Sequence, residues 1–431
     1  PAQTAFQLLR NSAMRKGTLL FLAVAAAFVG SILSTEVQGQ RGQQVQLPDG
    51  PGKELVSTTC TKCHALNFIT NSFGFSREEW PRLFGSMVAL PKDQSDTIAD
   101  YLAKNFPEKP DTPKAKLIPG PVNVSFKEWV APTLGSRPHD PLAARDGSIW
   151  WTGQYQSRLG RVDPKTGALK EFPLDTPNSG PHGLVEDKDG NIWYTGINVQ
   201  EVGKVDPKTG AVTEYKLNLE GARGPHTPIF DQKGILFFTI QSGHVGRLNP
   251  ANGEMKIVKS PSDPSYPYGI QVDSKNLLWY VDFRQPKLAS VNAATMEIKE
   301  YTLPRADARP RRIAITADDV IWYADFPMGY LGRFDPKTGQ FKEWLSPGGK
   351  DSRPYGIATV GDIVWYSESG VKPNTLVRFD TKSERFQTWV IPSHGHVVRN
   401  MMATREGNLV LAESGINRIA LAEVRNPSGT R

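Results

Sequence analysis

An internal repeat of about 43 residues constrains the fold of this chain more than any other feature of its sequence. The pentapeptide D-P-K-T-G and its degenerate copies begin at Asp163, Asp206, Asn249, Asn292, Asp335 and Asp380. Successive copies are separated by 43, 43, 43, 43 and 45 residues. Tryptophan recurs in the same register at Trp150, Trp193, Trp279, Trp322 and Trp365. A fixed period of this length is typical of an array of equivalent structural units.

The composition of each unit predicts β-strands joined by tight turns. Apolar and polar residues alternate in short runs, and the runs are separated by glycine or by the D-P-K-T-G turn. The 39 glycines and 34 prolines of the 431 residues fit a chain that turns often. About four strands in one repeat is the size of a propeller blade. The 3.6-residue periodicity of a helical solenoid is missing from the sequence.

Seven units can be counted from their leading residues. These are Pro138, Pro181, Pro225, Pro267, Pro310, Pro354 and Val398. The last unit lacks its outer strand, but residues 126–130 (F-K-E-W-V) match the outer strand of another unit at 341–345 (F-K-E-W-L). We therefore predict an all-β seven-bladed propeller over residues 124–426. Its ring is closed by pairing of N- and C-terminal strands, which protects open sheet edges.

The two cysteines of the chain lie in one short motif, Cys60-Thr61-Lys62-Cys63-His64. This C-x-x-C-H pattern is the one that attaches c-type haem. The two thiols bind the haem covalently, and the imidazole of His64 then serves as proximal iron ligand. A redox C-x-x-C pair or half of a zinc site are the alternatives, although the βαβ context and the further ligands that these need are missing nearby.

Residues 50–106 carry the other features of a small all-α domain. A capped helix start at Ser76–Glu79 and a final helix over 93–105 are predicted. Met87 is the candidate second axial ligand of the iron, with a core methionine as the alternative. The segment resembles the small c-type cytochromes, in the interval from Trp80 to Met87 and in the closing Tyr101, Leu102 and Ala103. The resemblance implies a cytochrome c domain with one covalent haem c.

The N-terminus has the pattern of an export signal. Residues 1–13 precede Met14 and are interpreted as an upstream segment, and residues 14–39 as a signal peptide with a basic start and an apolar core. An uncleaved membrane anchor is the alternative. We expect a periplasmic or extracytoplasmic protein, with a proline-rich semi-rigid linker over 107–123. The net charge of +7 has no long basic run, so no nucleic-acid partner is expected.

Equivalent residues of the blades converge on the central channel of a propeller, and two rings can be predicted there. The residues that follow the leading position are His139, His182, His226, Tyr268, Arg311, Tyr355 and Arg399. Fourteen or fifteen residues after the leading position come Gly153, Gly196, Ile240, Asp282, Asp325, Glu368 and Glu413. Three histidines therefore face four carboxylates. They could hold a divalent metal, clamp an anion through the arginines and tyrosines, or be structural hydrogen-bonding groups.

The repeat resembles the streptogramin lyases, the virginiamycin B lyase family of seven-bladed propellers. The matching stretches are P-H-G-L at 181–184, W-Y-S-E at 365–368 and L-G-R-F at 331–334. The resemblance implies a magnesium-assisted elimination that opens a cyclic depsipeptide, with His139, His182 or His226 as base and Glu368 or Glu413 as acidic partner. In this chain, however, no single unit holds both the histidine and the carboxylate.

These observations predict an exported c-type cytochrome that transfers single electrons and is joined to a lyase-like propeller. The propeller binds a substrate or a partner at its channel. The expected partners are a redox protein or a small electron donor, an unidentified channel ligand, and a membrane only if the signal is an anchor. The alternative is a carbon-oxygen lyase with a metal-assisted histidine base. Between haem-linked oxidoreductase, electron carrier and lyase, the sequence favours the first two.

Overall fold

The computed structural model describes residues 46–62, 66–394 and 396–425, and the chain divides into two compact units, Pro1–Ser72 and Phe73–Arg431. The predicted upstream segment 1–13 and signal peptide 14–39 lie outside the described residues, as do Cys63 and His64. Within the described part, no helix combines the length and apolar character needed to cross a bilayer.

The described residues of the first unit form two short helices, α1 (Lys53–Cys60) and α2 (Leu66–Thr70). Helix α1 ends at Cys60, the first cysteine of the C-x-x-C-H motif. Each helix buries one apolar side chain, Val56 on α1 and Ile69 on α2. Helices this short depend on packing for their stability, because intrinsic propensity alone does not hold them.

The second unit begins with helices α3 (Glu79–Phe84) and α4 (Lys92–Asn105). The predicted capping interaction precedes α3: the Ser76 N–H donates to Glu79 Oε2 (2.8 Å), and the Glu79 N–H donates to Ser76 Oγ (3.3 Å). Trp80 of α3 is buried, as is Leu102 of α4. The helices of residues 50–106 are thus present, but a cytochrome c domain is not shown by them, and haem attachment remains a prediction.

The rest of the second unit is a ring of seven four-stranded antiparallel sheets. The predicted seven-bladed propeller is confirmed. Strand β1 covers Asn123–Val130. Blade 1 consists of β2 (Pro138–Ala143), β3 (Ile149–Gly153), β4 (Arg158–Val162) and β5 (Leu169–Pro173). Blade 2 consists of β6 (Pro181–Glu186), β7 (Ile192–Gly196), β8 (Glu201–Val205) and β9 (Val212–Lys216).

The next four blades follow in chain order. Blade 3 consists of β10 (Pro225–Phe230), β11 (Leu236–Ile240), β12 (His244–Leu248) and β13 (Met255–Lys259). Blade 4 consists of β14 (Pro267–Val272), β15 (Leu277–Asp282), β16 (Lys287–Asn292) and β17 (Ile298–Thr302). Blade 5 consists of β18 (Pro310–Ile315), β19 (Ile321–Asp325), β20 (Tyr330–Asp335) and β21 (Gln340–Leu345). Blade 6 consists of β22 (Pro354–Val360), β23 (Ile363–Glu368), β24 (Thr375–Asp380) and β25 (Arg385–Val390).

Blade 7 closes the ring with strands from both ends of the propeller sequence. It consists of β26 (Val398–Ala403), β27 (Leu409–Glu413), β28 (Arg418–Arg425) and β1, with a 3₁₀ turn at Ser414–Ile416. Strand β1 pairs antiparallel with β28, from Asn123 opposite Arg425 to Val130 opposite Arg418. The predicted closure is therefore observed, and the inner strand of every blade begins at its predicted leading residue.

The recurring tryptophans fill the space between blades. Trp150 packs in a cluster that includes Leu184 and Tyr194 of blade 2, whereas its neighbour Trp151 packs against Val410 and Ile419 of blade 7. Successive residues of a strand point to opposite faces, so one strand supplies both interfaces of its blade. Each four-stranded sheet is thereby packed on both faces, which explains why the second strands are almost completely buried.

The predicted linker packs against blade 6. The Lys372 N–H donates to the Pro113 carbonyl (2.8 Å), and the Thr388 N–H donates to the Ile118 carbonyl (3.0 Å). The Gln387 side chain donates to the Val122 carbonyl (2.6 Å). These bonds hold residues 113–122 along the sheet, so this stretch is part of the propeller surface rather than a spacer in solvent.

The D-P-K-T-G turn depends on its glycine. In the first copy the Gly167 N–H donates to the Asp163 carbonyl (2.8 Å), and Gly167 has a φ of 76°. The second copy has Gly210 at φ 79°, whereas degenerate copies place Met296 (φ 67°) and Glu384 (φ 55°) in this left-handed region. Side chains other than glycine are strained there.

We predict that Gly210→Ala lowers the free energy of unfolding by about 1 kcal/mol through backbone strain. A Cβ at Gly210 meets no atom within 4 Å, so a steric clash does not contribute. Urea unfolding checks the difference. Gly210→Asn is the matched control. Its free energy of unfolding should fall by less, since asparagine tolerates the left-handed region. Equal losses in the two variants would contradict this explanation.

Candidate functional site

The three predicted histidines lie side by side in the central channel. Ring centroids are 3.8 Å apart between His139 and His182, between His182 and His226, and between His226 and Tyr268. All four side chains are at most 6% exposed. These residues come from four consecutive blades, so the convergence follows from the repeat register that the sequence reveals.

A second set of channel residues was missed by the sequence analysis. Each inner strand has a register shift just after its leading residue, for example between Pro138 and Pro141 and between Pro310 and Arg312. Such an irregularity breaks the strict alternation of side chains. The residue after the first ring position therefore also reaches the channel, which adds Asp140, Thr227 and Arg312. The available signal was that this position is polar in a few units and glycine in others.

Hydroxyl groups of the second strands fix the histidine-bearing strands to one another. Thr152 Oγ1 accepts the Asp140 N–H (3.0 Å) and donates to the His182 carbonyl (3.0 Å). Thr195 Oγ1 makes the same connection to the His226 carbonyl (2.6 Å). Thr239 Oγ1 donates to the Tyr268 carbonyl (2.6 Å). Each hydroxyl joins two blades, so the channel residues are held in register by buried hydrogen bonds from side-chain hydroxyls to backbone carbonyls.

Asp140 connects one side of the channel to the other. Its Oδ1 lies 2.9 Å from His139 Nδ1 and 2.6 Å from Arg312 Nη2. Arg312 belongs to blade 5 and also donates to Thr227 Oγ1 of blade 3 (3.0 Å). His139 and Asp140 are 3% and 2% exposed. The carboxylate therefore orients the imidazole and pairs with a buried guanidinium at the same time.

The channel keeps its histidines neutral. Burial lowers the pKa of His139, His182 and His226 well below the ordinary value, and nearby positive charges, including Arg312, lower it further. Arg399 and Arg137 add to this effect at His139. Neutral imidazoles can accept a proton or bind a metal ion. In the described part of the chain, no hydrogen-bond partner is found for Nδ1 of His182 or Nε2 of His226.

Four arginines, Arg137, Arg311, Arg312 and Arg399, form what we call the arginine cluster. The guanidinium carbon of Arg311 lies 3.9 Å from the Phe326 ring centroid and 4.7 Å from that of Tyr355. Burial and the charge of Arg399 lower the pKa of Arg137 to about 10. The cluster makes this side of the channel strongly positive.

Two tyrosines adjoin the cluster. The hydroxyl groups of Tyr268 and Tyr355 are 2.6 Å apart. Burial alone would raise the pKa of Tyr355, but Arg311, Arg399 and Arg312 together lower it to about 8. Burial and the neighbouring Tyr355 raise the pKa of Tyr268. The pair therefore has one acidic hydroxyl, which the cluster stabilises as an anion.

The predicted carboxylate ring does not join the histidines. Each member is the last residue of a second strand and pairs with the leading residue of its blade, as Glu368 pairs with Pro354. Glu368 accepts hydrogen bonds from Ser346 Oγ (2.6 Å), the Gly348 N–H (2.7 Å) and Thr375 Oγ1 (2.5 Å), so it holds loops of its own region.

Glu413 is fully buried and differs from Glu368. Neither of its carboxyl oxygens has a hydrogen-bond partner among the residues that the structure describes. Burial and the charge of Glu128 raise its pKa well above the ordinary value. Its surroundings therefore disfavour the charged carboxylate, which makes Glu413 a poor partner for a cation.

One side-chain group of the described residues has the spacing of a metal site. It comprises His139, Asp140 and His182, whose ligand atoms lie within 4.8 Å of one another. Magnesium prefers oxygen ligands, and this group offers one carboxylate, already bonded to Arg312. The arginine cluster also repels a cation. These residues therefore do not fit magnesium.

The predicted haem ligands are described only in part. Cys60 ends α1, and Met87 lies in the turn after α3, where its N–H donates to the Phe84 carbonyl (2.9 Å). The two residues belong to different compact units. Haem ligation by these residues stays a prediction.

We predict that Asp140→Asn lowers the free energy of unfolding by about 3 to 5 kcal/mol, because it leaves Arg312 buried without its counter-charge. In the double variant Asp140→Asn, Arg312→Met the free energy of unfolding should fall by less, since both charges are then removed. Urea unfolding measures both. Asp146→Asn, at an exposed pair with Arg161 (3.0 Å), is the control and should cost below about 1 kcal/mol. An equal loss in the single and double variants would contradict the ion-pair argument.

Comparison with known proteins supports the assignment of the propeller. A solved structure of a streptogramin B lyase matches with a TM-score of 0.64 and 24% identity, and the match covers 70% of this chain and 98% of that one. Selenomethionine-substituted virginiamycin B lyase from Staphylococcus aureus matches with a TM-score of 0.63 and 21% identity, covering 70% of this chain and 99% of that one. At identities this low, the structural similarity establishes the fold alone.

A third structure adds a ligand complex. It is a catalytically inactive histidine-to-alanine variant of the Staphylococcus aureus enzyme with quinupristin, and it matches with a TM-score of 0.64 and 20% identity over 70% of this chain and 99% of that one. A search of curated proteins gave no significant match. The sequence profile of the virginiamycin B lyase family matches residues 121–368, more than half of the chain. This protein belongs to the virginiamycin B lyase family.

Proposed function

We propose that the propeller is a carbon-oxygen lyase that opens an ester by elimination, with His139 as the base. The observation that carries the proposal is the His139–Asp140 contact of 2.9 Å inside the channel. Membership of the virginiamycin B lyase family supports the reaction class. A related structure contains quinupristin, so we take a cyclic depsipeptide of that type as the first substrate to test.

Asp140 gives His139 a role that the other two channel histidines lack. When Asp140 accepts a hydrogen bond from the Nδ1–H of His139, the proton stays on Nδ1, and the lone pair on Nε2 is available to take a proton from a substrate. His182 Nδ1 has no such partner in the described residues, and His226 Nδ1 contacts the hydroxyl of Thr227 (2.7 Å). The low pKa of His139 keeps its ring neutral, as a base requires.

The elimination balances without a further reactant. Nε2 of His139 takes the proton from the carbon next to the substrate carbonyl, and the electron pair left behind forms a C=C bond. The C–O bond on the neighbouring carbon then breaks, and the departing oxygen keeps its electron pair. Negative charge develops on the substrate during this step, and the arginine cluster provides a positive environment for it. Since the channel does not fit magnesium, no step is assigned to a metal.

We predict that the protein converts quinupristin to a ring-opened isomer of unchanged mass, because elimination adds no water. Liquid chromatography with mass spectrometry detects the product, and hydrolysis would be recognised by the added mass of water. His139→Ala should lower the rate about 10²- to 10⁴-fold, which is the usual contribution of a general base.

His244→Ala is the matched control, since His244 lies on β12 and contacts Ser242 (3.2 Å) outside the channel. Its rate should equal that of the unaltered protein. Activity should also survive a metal chelator. Loss of turnover on chelation, or an unchanged rate in His139→Ala, would refute the mechanism.

Covalent haem attachment is the second candidate function, and the C-x-x-C-H motif at residues 60–64 favours it. A bound haem would supply single-electron transfer. Cys60 and Cys63 would hold it covalently, with His64 and Met87 as axial ligands. An exported location, predicted from residues 14–39, is consistent with assembly of such a group. This function and the lyase reaction concern different parts of the chain and can be tested separately.

We predict that the exported full-length protein retains haem after denaturing electrophoresis, and that Cys60→Ser combined with Cys63→Ser abolishes this covalent haem stain. Met87→Ala should keep the stain but change the oxidised visible spectrum, because it removes only an iron ligand. Met402→Ala, at an exposed methionine of β26, is the control and should leave the spectrum unchanged. Haem retained without both cysteines would disprove covalent attachment.

A further inference from the structure

The arginine cluster holds more positive charge than the described residues neutralise. Asp140 pairs with Arg312 (2.6 Å). Within residues 46–62, 66–394 and 396–425, no carboxylate forms an ion pair with Arg137, Arg311 or Arg399. Arg137 donates to Gln154 Oε1 (3.0 Å), a neutral acceptor. One carboxylate thus faces four guanidinium groups in a largely buried channel.

Such an excess is costly unless an anion is bound. Removing a charge from water without a counter-charge costs several kcal/mol, even when the surroundings relax. The Nε atoms of Arg311, Arg312 and Arg399 are buried and lack a hydrogen-bond acceptor in the described structure. Donors are therefore in place for a negatively charged group that residues 46–62, 66–394 and 396–425 do not supply.

The surroundings of Arg311 also indicate the shape of this group. The rings of Phe283 and Phe326 lie 4.3 Å and 3.9 Å from its guanidinium carbon. Aromatic rings hold a guanidinium by its faces and leave the N–H groups along its edge available. A planar carboxylate matches this edge with two parallel hydrogen bonds.

We infer that Arg311 and Arg399 bind the carboxylate that leaves the substrate when its ester C–O bond breaks. This inference rests on the proposed function, since it identifies the leaving group of that site. The carboxyl oxygen receives the electron pair of the broken bond, and the proton stays on His139. The guanidinium groups thus supply the positive charge that stabilises the departing oxygen. A magnesium ion could have had this role, but the described channel residues do not fit one.

Benzoate is a suitable probe, because it carries a carboxylate and undergoes no turnover. Isothermal titration calorimetry on the full-length protein should show binding, and Arg311→Met should weaken it about tenfold or more, as expected for loss of charge-assisted hydrogen bonds. Arg284→Met removes an exposed arginine outside the cluster and should bind benzoate as the unaltered protein does. Arg311→Lys keeps the positive charge but cannot form the two parallel hydrogen bonds of a guanidinium. It therefore tests the same contact if Arg311→Met does not fold.

The ionisation of Tyr355 provides a second, independent measure of carboxylate binding. Burial, the guanidinium groups of Arg311, Arg399 and Arg312, and the hydroxyl of Tyr268 set its pKa at about 8. A bound carboxylate neutralises part of the positive charge, so the pKa of Tyr355 should rise by about one unit. At about pH 9, added benzoate should therefore reduce tyrosinate absorbance. Tyr355→Phe should remove this change.

The two proposals fail in different ways. Equal benzoate affinity in the unaltered protein and in Arg311→Met, or an unchanged tyrosinate signal, would overturn the carboxylate site even if quinupristin is converted. Benzoate binding that depends on Arg311, without turnover of quinupristin, would support the carboxylate site and count against the lyase reaction.

Discussion

The pairing of β1 with β28 is the interaction on which the rest of the propeller depends. It joins residues about 300 positions apart in the chain, Asn123 with Arg425 and Val130 with Arg418. Without it, blade 7 would lack its outer strand, and both β1 and the edge of β28 would be left unpaired. Closure also brings blade 7 beside blade 1, which places Arg399 near His139. The charge of the channel is therefore a consequence of how the ring is closed.

Closure creates a channel with two chemically different sides. Blades 1 to 3 contribute imidazoles, and blades 5 and 7 contribute three of the four guanidinium groups, with Arg137 directly before blade 1 and with Tyr268 and Tyr355 on blades 4 and 6. Asp140 bridges the sides through His139 and Arg312. A neutral base and a group of fixed positive charges are thus held within one small volume. Family membership alone does not predict a neutral base beside buried arginines. The resemblance to the family implied a metal ion and glutamates at this place instead.

The sequence predicted the blade number, the leading residues and the closing strand, because each depends on a repeat period that can be counted. It also predicted which residue of each unit forms the first channel ring. It could not predict the role of Asp140 and Arg312, since the register shift at the start of an inner strand leaves only a weak pattern, a position that is polar in a few units and glycine in others. Glu368 had the expected position, but its three hydrogen-bond donors lie in other loops and strands of the folded chain.

The hydroxyl groups that connect the blades are unevenly distributed around the ring. Threonines of blades 1, 2 and 3 and Ser367 and Ser414 fasten five of the seven inner strands to a neighbour. At the equivalent threonine position, blades 4 and 5 have Val281 and Ala324, which cannot form this bond. The strands that carry Arg311, Arg312 and Tyr355 therefore follow the two junctions without this bond, although Thr359 Oγ1 donates to the Ile315 carbonyl (2.9 Å) between blades 5 and 6. The strands of His182, His226 and Tyr268 are thus each fixed to the preceding blade by a buried hydroxyl group, whereas the strand of Arg311 and Arg312 has no equivalent bond to blade 4 among the described residues.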